Sequence, residues 1–137
     1  GINGRLDAIQ AAVLNVKLKY LAAEIEKRQE IAKIYNENLR GVVTPFVAQG
    51  NISAWAQYCI RVKDRQKMLE ACAREGMPTG VYYPVPLHLQ EVFTPLGYER
   101  GDFAVSERVS EDIMALPMSA FLSEQEQKRV IEVVNNA

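Results

Sequence analysis

Few side chains in this 137-residue sequence could do chemistry, and they are scattered. The single histidine, His88, follows the turn Pro84-Val85-Pro86-Leu87, and two tyrosines, Tyr82 and Tyr83, precede it. An imidazole can titrate near neutral pH, and a phenol hydroxyl can donate or accept a hydrogen bond. On spacing alone, His88 reads as a surface loop residue, and the tyrosines as one core and one exposed strand residue. At the start, Gly1-Ile2-Asn3-Gly4-Arg5 sets an amide, Asn3, and a guanidinium, Arg5, ahead of a helical pattern. Free backbone N–H groups point outward at a helix start, so an anion could be met there. On residue type alone, Asn3 and Arg5 are turn and surface residues. Cys59 and Cys72 sit in apolar settings without metal spacing and read as two reduced, packed thiols. There is no P-loop or dinucleotide glycine pattern, and a lone histidine gives poor support to a zinc site or a Cys/His couple.

The elements that must position these groups follow from periodicity. Leu6, Ile9, Val13, Val16 and Tyr20 form one stripe at helical spacing; Leu14, Leu18, Leu21 and Ile25 form a second. Two adjacent stripes make a wide apolar face that more than one neighbour must cover. The pattern predicts a helix from about Leu6 to Leu39, with room for a bend near its middle and Gly41 as its stop. Residues Ser53 to Lys63 alternate and predict a half-buried strand: Tyr58, Ile60 and Val62 face one way, and Trp55, Gln57 and Cys59 the other. Asp64 caps a helix to about Glu75 with Met68, Leu69 and Cys72 inward, and Gly76 ends it. Val81-Tyr82-Tyr83 reads as a short strand closed by the prolines, and Leu87 to Phe93 as one or two helical turns. Asp102 is expected to cap a helix to about Ala115 with Val105, Val109 and Ile113 inward. Ser123 and Glu126 form a capping box for a last helix carrying Val130, Ile131, Val133 and Val134. The fold class is α+β: a long N-terminal helix and a small sheet with flanking helices. The pattern leaves the strands free to pair as a parallel pair or in a mixed sheet.

Composition narrows the function classes. Apolar content of 48% and charged content of 24% are those of a globular chain able to bury a core. A net charge of −1 without a basic run argues against nucleic acid, and no apolar run approaches a membrane span. A polar start and reduced thiols fit a cytoplasmic protein. The first residue is Gly in a loop, which suggests a fragment of something longer.

Several motifs together carry a resemblance. Gly1-Ile2-Asn3-Gly4-Arg5-Leu6-Asp7-Ala8-Ile9-Gln10-Ala11-Ala12 resembles the G-x-N-x-R-[LM]-x-x-[IL]-Q-A-A stretch of the DegT/DnrJ/EryC/StrS-type sugar aminotransferases. Thr79-Gly80-Val81-Tyr82-Tyr83-Pro84-Val85-Pro86-Leu87-His88 is similar to that family's T-x-[VI]-H-Y-P-x-P-L-H segment. Leu96-Gly97-Tyr98, Gly101-Asp102-Phe103 and Ala115-Leu116-Pro117-Met118 recur there in the same order.

The resemblance implies that residues 1–137 are the C-terminal small domain, with an interface helix, of a fold type I enzyme that uses pyridoxal phosphate. A large domain absent from this chain would hold most of the cofactor and the lysine that forms the Schiff base. Lys17, Lys19, Lys27, Lys33, Lys63, Lys67 and Lys128 lie in no setting like the family's S-F-x-x-x-K, so this chain alone should be inactive and contain no catalytic residue. Asn3 would reach the phosphate of the neighbouring subunit's cofactor in a homodimer. Arg5, Tyr82, Tyr83 and His88 would bind substrate. Where the family has His, Tyr82 offers a hydroxyl but no group that titrates near neutral pH. Gly1 to Asp7 and Ile52-Ser53-Ala54-Trp55-Ala56-Gln57-Tyr58 look most like enzymes that aminate UDP-3-keto sugars of the N-acetylglucosaminuronate type. Glutamate would be the amino donor, and cell-surface polysaccharide such as O-antigen the destination. The alternative is a non-catalytic interaction or regulatory module that keeps the small domain and dimer helix.

Overall fold

The computed structural model describes residues 4–137. Helix α1 spans Ala8–Leu18 and is opened by a capping box. The Asp7 carboxylate accepts from the Gln10 N–H at 2.8 Å, while the Gln10 side chain accepts from the Asp7 N–H at 3.3 Å. Helix α2 spans Leu21–Asn38. The expected single helix is therefore two. No Pro or Gly marks the break; the last turn of α1 tightens, with Lys19 and Tyr20 N–H donating to Val16 and Lys17 carbonyls three residues back.

Strand β1 is Tyr58–Arg61 and strand β2 is Ile113–Leu116. They pair antiparallel, Tyr58 opposite Leu116 and Arg61 opposite Ile113. Val43 bridges to the outer edge of β1 at Arg61, and Gly80 to the outer edge of β2 at Ala115. Helix α3, Arg65–Arg74, follows β1, with Asp64 as its cap as expected. Two 3₁₀ turns, Leu87–Leu89 and Glu91–Leu96, lead to α4 at Ala104–Asp112. Helix α5, Glu124–Asn136, starts at the Ser123–Glu126 capping box that the sequence predicts.

The core lies between α2, α3, α5 and the β-ribbon, around Tyr35, Tyr58, Ile60, Cys72, Met114, Val130 and Val134. The α2 stripe Ile31, Ala32, Tyr35 and Leu39 faces it, and polar contacts lock α2 to α5. Gln127 Nε2 donates to the Ile31 carbonyl at 2.8 Å. Asn135 accepts from the Arg40 N–H at 2.8 Å and donates to the Asn38 carbonyl at 3.0 Å, satisfying the end of α2 from a distant helix. Cys59 and Cys72 are free thiols.

Five local expectations are corrected. The strand expected over Ser53 to Lys63 forms only at Tyr58–Arg61, although Tyr58, Ile60 and Val62 are buried as the alternation predicts. Trp55, assigned outward, has φ of +49°, which turns its ring into the core. There its Nε1 donates to Gln29 Oε1 at 2.9 Å, beside Tyr58 at 5.5 Å. The helix expected to reach Ala115 stops at Asp112, because Tyr58–Arg61 and Gly80 take the backbone groups of 113–116 for the ribbon. Asp102 is not its cap: its carboxylate accepts from the Glu99 N–H at 2.8 Å and closes a turn, and Phe103 stands at the cap position. Val105 points to solvent, and Glu107 and Ser110 are buried instead.

Candidate functional site

Gly80 places the stretch that carries the tyrosines. Its N–H and carbonyl bond Ala115 at 3.3 and 2.7 Å, pinning the backbone to β2. The Tyr82 ring folds back over it so closely that a Cβ on Gly80 would lie 2.8 Å from the ring, and a side chain there would have to push the ring aside. Val81-Tyr82-Tyr83 forms no strand beyond that bridge. Tyr82 is 41% and Tyr83 68% exposed, so neither is the expected core residue. Their rings meet edge to face at 5.7 Å. Pro84 and Pro86 then hold the chain extended until the first 3₁₀ turn presents His88.

These residues converge. Tyr82, Tyr83 and His88 line one open groove of about 400 Å³, with Val85, Phe103 and Ile113 as apolar wall. Two hydroxyl-bearing rings and an imidazole on an apolar wall can bind a polyhydroxylated ligand through hydrogen bonds while covering its less polar face. Arg5 does not line this groove; it stands exposed ahead of α1. Asn3 lies outside the described residues. The groove thus brings together three of the five residues named from sequence.

His88 is not the surface loop residue that spacing suggests. Its side chain is 8% exposed, and Nε2 lies 2.9 Å from Oε1 of Glu107, whose side chain is 10% exposed. The ring also packs on Phe103 at 4.8 Å, and Phe103 on Tyr98 at 5.1 Å. Glu107 accepts further from the Gly101 N–H at 2.8 and 3.1 Å and from the Phe103 N–H at 3.4 Å. These donors, the Gly101 N–H first and then His88, hold the Glu107 carboxyl below the usual range, so it is ionised at neutral pH. The apolar pattern of this helix concealed Glu107. The usable signal was a glutamate one turn into a helix whose cap, Phe103, has no side-chain acceptor, since free N–H groups there attract a carboxylate.

Residues 1–135 match the DegT/DnrJ/EryC1/StrS aminotransferase family. The chain belongs to that family. Among relatives, the dTDP-3-amino-3,6-dideoxy-alpha-D-galactopyranose transaminase of Aneurinibacillus thermoaerophilus is 34% identical over 98% of this chain and 37% of its own length. The UDP-2-acetamido-2-deoxy-3-oxo-D-glucuronate aminotransferase of Pseudomonas aeruginosa is 35% identical over 99% of this chain and 38% of its own. The solved structure of a DegT/DnrJ/EryC1/StrS aminotransferase from Brucella abortus is 44% identical and superposes with a TM-score of 0.91, covering 99% of this chain and 37% of that one. The chain therefore spans well under half the length of these aminotransferases. The helices and small ribbon described above are an α+β fold that family members share.

Among the described residues, the groove of Tyr82, Tyr83 and His88 does not by itself build a pyridoxal phosphate site. No lysine lines the groove of Tyr82, Tyr83 and His88. Lys27 pairs with Glu30 at 2.8 Å, Lys67 donates to the Ala137 carbonyl, and Lys128 stands 4.0 Å from Glu132. All three belong to outer faces of the helices. Among the described residues, no group of three His, Cys, Asp or Glu side chains could hold a metal ion, and no helix is long and apolar enough to cross a membrane.

Proposed function

We propose that this chain is the C-terminal small domain of a pyridoxal-phosphate-dependent aminotransferase acting on a nucleotide-linked keto sugar, and that it supplies one wall of the sugar site. The observation that carries this reading is the convergence of Tyr82, Tyr83 and His88 on one open groove, in a member of an aminotransferase family, with no lysine beside them. Such a groove suits binding and orienting, and leaves the carbon–nitrogen chemistry to a lysine in another part of the protein. The coverage of about 37% of the relatives supports the same division of labour. So does the exposed apolar face of α1, which needs a neighbour.

In this reading the two tyrosine hydroxyls and His88 hydrogen-bond the sugar, and the apolar wall excludes water from its less polar face. Asn3 serves the cofactor phosphate of the partner subunit. Arg5, away from the groove, serves an anion in a site completed elsewhere in the homodimer, a uronate carboxylate or the nucleotide phosphates. The relatives divide between dTDP and UDP sugars at nearly equal identity. The Gly1 to Asp7 and Ile52 to Tyr58 motifs favour a UDP-3-keto sugar, with glutamate as amino donor.

The test uses the full-length protein from the same reading frame. It should carry a lysine-bound cofactor absorbance and aminate a UDP-3-keto-hexose or uronate with glutamate. Arg5→Ala should raise the KM for the sugar nucleotide about tenfold, the loss of a charged hydrogen-bonded pair. A full-length protein that binds no pyridoxal phosphate, or aminates no nucleotide sugar, would overturn the reading. A normal KM for Arg5→Ala would remove Arg5 from its role.

A further inference from the structure

Glu107 is the one buried acid of α4, and its carboxylate touches the only histidine of the chain. Buried carboxylates need donors, and this one has three: the Gly101 N–H, the Phe103 N–H and His88. Because an ionised carboxylate only accepts, the proton between it and His88 must sit on Nε2. In a neutral imidazole the other nitrogen, Nδ1, then carries a lone pair and can only accept. Among the described residues no hydrogen bond reaches Nδ1, and no fully buried side-chain nitrogen or oxygen lacks a partner. Nδ1 is therefore not fully buried, and His88 lines the groove of Tyr82 and Tyr83.

We propose that Glu107 is a positioning residue: it fixes His88 in the Nε2–H form, so that Nδ1 faces the groove as an acceptor selective for a ligand hydroxyl or N–H. This deepens the proposed function and rests on it, because the ligand it selects is the sugar of that reading. A phenol hydroxyl can serve either as donor or as acceptor. A held Nδ1 cannot, so it discriminates between a sugar carbon that bears a donor and one that bears a carbonyl or has been deoxygenated. Glu107 acts through His88 alone in this respect and touches no ligand itself. Its bonds to Gly101 and Phe103 keep the loop before α4 against the imidazole, so the ring has packing as well as a hydrogen bond to hold its angle.

The test is made on the full-length protein loaded with its cofactor, in two arms. In the first, histidine is labelled with nitrogen-15 and the His88 signals are assigned by their loss in H88Q. Near neutral pH the free protein should show the Nε2–H tautomer, and E107A a mixture of tautomers, with E107Q, whose amide oxygen can still accept, closer to wild type. An Nδ1–H form or an imidazolium in the wild-type protein would overturn the assignment, whether or not any sugar binds. In the second arm, His88 is replaced by the two amides that each keep one nitrogen's place. Gln reaches toward Glu107 and leaves no acceptor at Nδ1; Asn puts its oxygen near Nδ1 and cannot reach Glu107. Binding of the UDP-linked amino sugar, read by calorimetry, should weaken about tenfold in H88Q and less in H88N. A merely structural histidine would give the opposite order, and that order, or no change in either, would overturn the proposal. A wild-type protein that binds no UDP sugar in the second arm while showing the Nε2–H signal in the first would refute the substrate reading and the selectivity, and leave the Glu107–His88 geometry standing.

Discussion

The Tyr35 hydroxyl donates to the Pro117 carbonyl at 2.9 Å, across 82 residues of sequence, from a ring with no exposed surface. Burial pushes its pKa well up, so it stays a protonated donor throughout the physiological range. Tyr35→Phe removes the donor, keeps the ring, and leaves the carbonyl without its protein partner. The expected cost is about 1–2 kcal/mol in chemical denaturation, with an unchanged denaturant slope. A loss within error of zero would mean that water takes the hydroxyl's place. At the same scale, Trp55 shows how one backbone angle overrides an alternation. Its positive φ reverses the facing of a residue that period two assigns to the outside, and Gln29 on α2 waits for its indole N–H. Gln29 also donates to the Ser53 carbonyl, and Arg28 to the Ala54 carbonyl at 3.3 Å, so α2 anchors the approach to β1.

Helix α4 and strand β2 meet without a loop, and their junction is held by charge. Arg61 on β1 grips Asp112 with two nitrogens, Nε to Oδ1 at 2.8 Å and Nη2 to Oδ2 at 2.6 Å. Arg65 on α3 covers the Ser110 and Ile113 carbonyls that the end of α4 leaves free. The hydrogen bond from Arg61 holds the Asp112 carboxyl below its ordinary value, the other nearby arginines adding to it. A depressed carboxylate pKa contributes stability that is complete above the unfolded value, about 3.9, and is lost as pH falls through the lower folded value. Asp112→Asn should therefore lower the melting temperature at neutral pH and reduce the slope of stability against pH on the acid side. Melts from about pH 6 to pH 3 would check this. An acid limb as steep in the variant as in wild type would place the proton uptake on other groups.

Seen whole, the molecule has a closed side and an open one. The α2, α3, α5 and ribbon side buries its apolar residues. Helix α1 buries none: Ile9 is 79% exposed, and Val13, Leu14, Val16 and Leu18 are exposed with it. Each such side chain gains roughly 1.5–3 kcal/mol when covered, so the face is a strong association surface. The 137-residue chain by itself is expected to associate with a second copy through α1, its scattering mass rising with concentration. The double variant Ile9→Glu and Val13→Glu should restore a monomer that still folds, with a melting temperature that no longer rises with concentration, because neither residue touches the core. A wild-type chain that remains monomeric at high concentration would contradict the expectation.

Local order was legible in the sequence wherever the determining partners are neighbours along the chain. The caps Asp64 and Ser123 lie within a turn of the groups they satisfy, the inward residues Tyr58, Ile60 and Val62 keep period two, and the family motifs are contiguous. The inward turn of Trp55, the early end of α4 and the antiparallel pairing of β1 with β2 were not. Each depends on partners tens of residues distant, as when 113–116 pair with 58–61 rather than extend a helix. The candidate site divides the same way. The family resemblance named Tyr82, Tyr83 and His88; only tertiary structure brought α4 beside the 3₁₀ turn and gave His88 a buried carboxylate. A side chain's protonation form follows from what packs against it in space, and sequence spacing does not encode that.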